Sequence, residues 1–146
     1  MKLHFHKWTS LISKAILLCS EYSHVSIESG LFIYEAHIHT WVRKVLRTEW
    51  DDTTIIHTMD FDRWPKHEAR MVSWLEKQVG KKYDILGVFS FIWIFLKERK
   101  GRWYCSELWM CALMKLLWVW KDEYEQKQSP ANLYYLCLIL KHLNSI

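Results

Sequence analysis

The stretch Tyr-Ser-His-Val-Ser-Ile-Glu-Ser-Gly-Leu-Phe-Ile-Tyr-Glu-Ala, residues 22–36, predicts a β-hairpin and so decides the fold class. Strand-forming residues flank Ser29-Gly30, a dipeptide that suits a tight turn. If Ser29 and Gly30 form a two-residue loop, His24 lies directly opposite Glu35. Opposed residues share one face of a sheet, with Cβ atoms about 4.5–5.5 Å apart. We therefore expect the imidazole of His24 to contact the carboxylate of Glu35.

This pairing depends on the length of the loop. A three-residue loop would shift the register by one residue and separate the two side chains, because successive residues of a strand point to opposite faces. Where the pair forms, the carboxylate fixes the tautomer and orientation of the imidazole and favours the imidazolium. That is the state a base needs in a thiolate–imidazolium pair.

A second stretch, Tyr-Cys-Ser-Glu-Leu-Trp at residues 104–109, places Cys105 in a polar setting at the start of a predicted helix. The other three cysteines lie in apolar helical stretches and are predicted to be small buried hydrophobic residues: Cys19, Cys111 and Cys137. The spacing of the four matches neither a metal knuckle nor a small disulfide scaffold.

The position of Cys105 suits a nucleophile. A thiol at the first turn of a helix feels the positive end of the helix dipole, and a nearby imidazolium further favours the thiolate. Its own backbone N–H is a natural donor to an oxyanion. The alternative is that Cys105 is merely a small residue at a helix start. If Cys105 and His24 meet, the chain is a thiol hydrolase.

The rest of the chain predicts one α+β domain over residues 1–146. Helical patterns cover residues 9–20, 66–79, 85–99, 105–121 and 130–143, and further strands are predicted at residues 41–46 and 53–60. Hydrophobic residues make up 51% of the chain, enough for a core, and no repeat or long linker divides it. Asp84 is expected to cap the helix that follows it.

Composition limits the classes of partner. The formal net charge is +4, with 20 Lys and Arg against 16 Asp and Glu scattered along the chain, which does not predict nucleic-acid binding. The longest apolar run, residues 85–96, is shorter than the about 20 residues that span a bilayer. The N-terminus lacks the pattern of a signal peptide. We therefore expect a cytoplasmic protein, with membrane or lipid contact as the minority use of that run. The sequence gives no indication of oligomeric state.

Two pairs of histidines alternate in the chain, His4 with His6 and His37 with His39. Each pair would share one face of a strand, and such pairs can ligate zinc. No cysteine or carboxylate with metal spacing completes either pair. We expect no metal site and no cofactor.

Five segments resemble, in order, those of the circularly permuted NlpC-type papain-like cysteine hydrolases, the YiiX and YaeF group. They are Ser-His-Val-Ser-Ile at 23–27, Ile-Tyr-Glu-Ala at 33–36, Lys-Lys-Tyr-Asp-Ile-Leu-Gly at 81–87, Trp-Tyr-Cys-Ser-Glu-Leu-Trp at 103–109 and Ser-Pro-Ala-Asn-Leu at 129–133. The matches extend over residues 11–136, and the histidine precedes the cysteine, whereas ordinary papain-like enzymes have the reverse order. The resemblance implies a permuted papain-like fold, in which a small antiparallel sheet packs on a central helix that bears the cysteine.

The resemblance also implies roles for single residues. Cys105 would be the nucleophile, His24 the base and Glu35 the third, orienting residue. His37 is the alternative for the third position, because relatives of this fold can use a histidine there. Tyr83 is a candidate for contact with the substrate.

Tyr104, beside the cysteine, is a second candidate for substrate contact. The implied activity is hydrolysis of an amide or peptide bond, in a cell-wall peptide or an acyl-amide, through a cysteine thioester. The partner would be a small peptide or amide. Two alternatives remain: a lipid-directed acyltransferase or thioesterase, and a non-catalytic protein-binding module on the same fold.

Overall fold

The computed structural model describes residues 1–18, 20–61, 65–89, 102–116 and 129–143. It is an α+β domain with a five-stranded antiparallel sheet. The strands are β1 (Lys2–His6), β2 (His24–Ser29), β3 (Phe32–His37), β4 (Trp41–Leu46) and β5 (Ile55–Asp60). The helices are α1 (Leu11–Leu17), α2 (Pro65–Glu76), α3 (Ile85–Phe89), α4 (Cys105–Leu116) and α5 (Pro130–Leu143), with a 3-10 turn at Arg47–Glu49.

Most element boundaries follow the sequence prediction. β4 and α5 have the predicted limits, α1 and β5 are shorter than predicted, and α2 ends at Glu76 instead of continuing to Val79. Ser10 caps α1, since its hydroxyl accepts the Ser13 N–H at 3.2 Å. Residues 90–99 and 117–121 of the two remaining predicted helices lie outside the described residues. Among the described helices, none is both long and apolar enough to cross a membrane.

The cysteines only partly follow their prediction. Cys137 is fully buried in α5, as expected, whereas Cys111 in α4 is half-buried and not enclosed. Cys111 is therefore more exposed than predicted. Cys19 lies outside the described residues.

The strand order is β4-β3-β2-β1-β5, so the N-terminal strand lies inside the sheet, between β2 and β5. His4 and His6 share one face of β1, as predicted, opposite Ser26 and His24 of β2. The corresponding prediction for the other pair was wrong, because His37 ends β3 and His39 lies in the turn that follows it.

The register of the β2–β3 hairpin differs from the prediction by two residues. Ser29 pairs with Phe32 and Ser26 with Glu35, so Gly30 and the next residue form the loop and His24 is not directly opposite Glu35. Gly30 has a φ of 57°. The observed loop puts this glycine first, where a type II′ turn requires positive φ, whereas the predicted loop would put Ser29 there. A shift of two residues leaves every side chain on its face.

The two faces of the sheet have different chemistry. One face is apolar and packs against the helices, and it presents Leu3, Phe5, Val25, Ile27, Tyr34, Ala36, Val42 and Met59. Helix α4 crosses β2 and β3, and the indole N–H of Trp109 donates to the carbonyl of Val25 at 2.7 Å. The other face carries buried polar side chains, among them His4, His6 and Glu35. Buried polar groups need partners, so this face is where functional chemistry is expected.

Candidate functional site

The predicted nucleophile and base each stand at the first residue of an element. Cys105 is the first residue of α4, as predicted, and His24 is the first residue of β2. The Tyr104 carbonyl accepts the Leu108 N–H at 3.1 Å, which closes the first turn of the helix. Backbone N–H groups of this turn have no partner within the helix and point toward its N-terminus. The Cys105 side chain is only 1% exposed.

A short backbone bridge holds the start of α4 in place. Tyr83 and Trp103 form an isolated parallel β-bridge, in which the Asp84 N–H donates to the Trp103 carbonyl at 3.0 Å and the Trp103 N–H to the Lys82 carbonyl at 3.1 Å. Asp84 directly precedes α3, and its carbonyl accepts the Val88 N–H, so it occupies the predicted cap position. The segment before α3 is thereby fixed beside the segment before α4.

The predicted contact between His24 and Glu35 is confirmed. His24 Nε2 and Glu35 Oε2 are 2.9 Å apart, and the Glu35 side chain is completely buried. The two residues are diagonal neighbours on one face, because Glu35 pairs with Ser26, two residues along β2 from His24. The other carboxylate oxygen of Glu35 accepts the Arg43 Nε–H at 2.7 Å and also bonds to Arg43 Nη2. The carboxylate is therefore held from both sides.

Cys105 lies near enough to His24 to affect its pKa, as Glu35 does. Burial opposes a charge on His24, but hydrogen bonds to Cys105 and Glu35 and their negative charge outweigh it, and the pKa of His24 rises from 6.5 to about 9. His24 therefore carries a proton at neutral pH. An imidazolium between a thiol and a carboxylate is the arrangement used in thiol catalysis.

Glu35 remains ionised despite its burial. Burial alone raises the pKa of a carboxyl group, but the hydrogen bond and charge of His24 and the charge of Arg43 outweigh that effect and lower the pKa of Glu35 to about 2. Arg43 pairs with Glu35 directly across β3 and β4. Arg43 is not among the predicted site residues, although the predicted strand at residues 41–46 places it within reach of β3.

The two predicted substrate contacts lie in different places. Tyr83 lies near Cys105, and burial together with the nearby Cys105 raises the pKa of Tyr83 above 10. Tyr104 is buried against Gly87, where an added Cβ would lie 2.9 Å from its ring. Among the described residues that line the neighbouring cleft, Tyr83 is included and Tyr104 is not.

His37, the alternative third residue, does not take the place of Glu35. Its ring meets the edge of Trp8 with centroids 5.0 Å apart, and its Nδ1 accepts the His39 N–H at 3.2 Å. Burial lowers the pKa of His37. The group bonded to His24 is the Glu35 carboxylate.

A small cleft opens beside His24. Its walls combine aliphatic side chains with serine hydroxyls: Trp8, Ser10, Ile12, Ser13, Ile16, Ser23, Ala36, Ile38 and Tyr83, together with His24 itself. Helix α1 supplies several of these residues. Helix α1 was not predicted to take part in the site, because it contacts residues that are distant along the chain.

His6, another histidine of the polar face, is held by two neutral partners. His6 bonds through Nε2 to Ser26 Oγ at 2.9 Å and through Nδ1 to Thr54 Oγ1 at 3.1 Å. Burial, and next the charge on His24, lower the pKa of His6 to about 2. Within the described ranges, no three His, Cys, Asp or Glu side chains form a group able to hold a metal ion.

Comparisons with known proteins give no relative for this chain: no family model, no curated protein and no solved structure matches it.

Proposed function

We propose that the chain is a cysteine hydrolase that cleaves amide or peptide bonds, on a permuted papain-like fold of the NlpC type. The observation that carries the proposal is that His24 is bonded to Glu35 and lies near Cys105, although the three residues come from different elements. The five segments that resemble the NlpC-type hydrolases support the same assignment.

In the proposed reaction the Cys105 thiolate attacks the carbonyl carbon, and a sulfur–carbon bond forms as the carbonyl electrons move to oxygen. The Cys105 backbone N–H donates to this oxyanion. The His24 imidazolium then gives its proton to the departing amine, and the carbon–nitrogen bond breaks. Neutral His24 next takes a proton from water, the hydroxide attacks the thioester, and Cys105 leaves as a thiolate beside the re-formed imidazolium.

Glu35 acts in this scheme through His24. Its carboxylate keeps Nε2 of the imidazole directed away from the thiol and stabilises the imidazolium. Arg43 holds the carboxylate in that orientation from the opposite side. We propose Glu35, and not His37, as the third member, because Glu35 is the group bonded to His24.

One observation favours a second substrate class. The aliphatic side chains of Ile12, Ile16 and Ile38 line the cleft beside His24. Such a wall suits an apolar acyl group as well as an aliphatic amino-acid side chain. Lipid acyl transfer by the same residues is therefore the second candidate. If Cys105 does not react, the chain is instead a protein-binding module without catalytic activity.

Alkylation of Cys105 tests whether His24 activates the Cys105 thiol. We expect iodoacetamide at pH 7 to label Cys105 before Cys111 and Cys137, and His24→Ala to slow this labelling by about tenfold or more. His37→Ala is the matched control, because it removes a neighbouring imidazole that is not bonded to Glu35. Labelling is followed by intact-protein mass and peptide mapping. Equal labelling of all cysteines, or equal slowing by both histidine variants, would contradict the proposal.

A substrate screen separates the classes. Peptidoglycan fragments, acyl-amino acids and phospholipids are offered in turn to the wild type and to Cys105→Ala, and acyl adducts are read from the protein mass. We expect an adduct on Cys105, or release of the acid, with a peptide or amide. An adduct formed only from phospholipid would establish the second candidate. Reaction with none of the three classes would favour the binding module.

A further inference from the structure

The indole of Trp8 covers the imidazole of His24. The two rings are stacked, with centroids 4.0 Å apart and planes inclined by only 20°. Trp8 lies in the connection between β1 and α1, far from the other members of the site along the chain. Near-parallel stacking at this distance brings the electron-rich face of the indole against the whole imidazole ring.

Trp8 is itself held at two points. Its backbone N–H donates to Ser23 Oγ at 2.7 Å, and its indole N–H donates to Thr54 Oγ1 at 2.9 Å. The first bond ties it to the residue before His24, and the second ties it to the loop before β5. Because both ends are anchored, the indole plane cannot tilt freely, and it limits rotation of the imidazole that lies on it.

We propose that Trp8 is a positioning residue of the site, whose indole face holds the His24 imidazolium in plane between Cys105 and Glu35 and stabilises its positive charge. An aromatic face attracts a cation within about 6 Å of its centre, and the attraction grows where water is excluded. Both conditions are met, since His24 is buried. The inference rests on the proposed function, in which His24 holds the proton that is given to the leaving group.

The other groups that face His24 do not supply the same effect. Glu35 on β3 and Cys105 on α4 favour the charged ring through hydrogen bonds and charge. Burial and the charge of His24 lower the pKa values of His6 on β1 and His37 on β3, so neither ring supplies a stabilising charge to His24. Among the described residues around His24, Trp8 is the one that lies flat on the ring.

The test measures protonation of His24 directly, in a Cys105→Ala background, so that no coupled thiol titrates and the readout does not require catalysis. Histidine-labelled protein is followed by NMR from pH 5 to pH 10, with the His24 signal assigned by His24→Gln. Trp8→Leu keeps an apolar cover but removes the aromatic face. We expect it to lower the titration midpoint of His24 by about 0.5–1.5 pH units, and Trp8→Phe to lower it less.

Trp50→Leu is the matched control. Trp50 is a buried tryptophan of the same region, but its ring meets His6 edge-on and does not stack on His24. We expect this variant to leave the His24 midpoint unchanged. If Trp8→Leu leaves the midpoint within about 0.2 units of the parent, or if Trp50→Leu moves it equally, Trp8 is a packing residue and the inference is wrong.

Fluorotryptophan provides a second test should Trp8→Leu fail to fold. Fluorination weakens the negative face of the indole with little change in shape. Incorporated into the parent protein, it should lower the His24 midpoint, and incorporated into Trp8→Phe it should not. An equal shift in both proteins would assign the effect to other tryptophans and overturn the inference. A confirmed shift, together with no turnover by the wild-type protein, would disprove the proposed function and leave the role of Trp8 intact.

Discussion

Replacement of Glu35 by glutamine tests the centre of the site with almost no change in shape. The wild-type carboxylate is completely buried and bonds to His24 and Arg43. Its pKa is lowered from 4.5 to about 2, and at about 1.4 kcal/mol per pKa unit this corresponds to about 3 kcal/mol of stability at pH 7. Loss of one partner from a buried ion pair costs about 3–5 kcal/mol in other proteins, which agrees. We therefore expect Glu35→Gln to lower the free energy of unfolding by about 3 kcal/mol.

Glu76→Gln is the matched control, because Glu76 at the end of α2 bonds to side chains of the same sheet. Glu76 also accepts two hydrogen bonds, from Lys44 and Tyr34, but its side chain is 42% exposed. An exposed ion pair contributes about 0–1 kcal/mol, so this variant should lose no more than that. Both free energies come from urea unfolding at pH 7, with the slope against urea concentration compared between variants.

The sign of the pH dependence gives a further check. A lowered pKa stabilises the folded protein above the unfolded value of 4.5, and the contribution is lost as the pH falls through about 2. The difference between wild type and Glu35→Gln should therefore narrow as the pH is lowered below 4.5. Equal losses for the glutamine variants of Glu35 and Glu76, or a difference that widens in acid, would refute this account of the site.

Two other outcomes can be measured by the same unfolding experiments. The pKa of His24 is raised to about 9 and that of His6 is lowered to about 2. Stability should therefore peak near pH 6.5 and fall by up to about 1.4 kcal/mol per pH unit on each side, through His24 in alkali and through His6 in acid. A flat profile from pH 5 to pH 9 would contradict both shifts. Gly87→Ala should destabilise by about 1–3 kcal/mol, because its Cβ would lie 2.8 Å from Asp84 Oδ2 and 2.9 Å from the Tyr104 ring. If the variant is instead stabilised by up to about 1 kcal/mol, as at an unhindered helical glycine, Asp84 and Tyr104 must move to make room for the added Cβ.

The parts of the site that the sequence predicted depend on residues close together in the chain, or on the alternation of side chains along a strand. Cys105 could be placed at a helix start because the change from polar to apolar residues occurs within a few positions. The contact of His24 with Glu35 could be predicted from one hairpin, because neighbouring antiparallel strands follow each other in the chain. The exact pairing was wrong, since it depended on which residue of the turn takes positive φ.

The parts that the sequence did not predict depend on contacts between distant segments. Trp8 reaches His24 only because β1 is inserted between β2 and β5, and nothing in residues 1–9 indicates that position. The pairing of Arg43 with Glu35 depends on the turn between β3 and β4, which ends with Trp41 at a φ of 63°. A tryptophan in the left-handed region is uncommon, so turn preferences do not indicate it.

The offset of two residues in the β2–β3 hairpin has a consequence for how this protein can change. A slip of one strand past the other by an even number of residues preserves which side chains share a surface, and a slip by an odd number inverts the strand. The His24–Glu35 pair therefore tolerates a change of register at Gly30 only in steps of two. A substitution that moves the turn by one residue should put the two side chains on opposite faces, whereas one that moves it by two should keep them on one face.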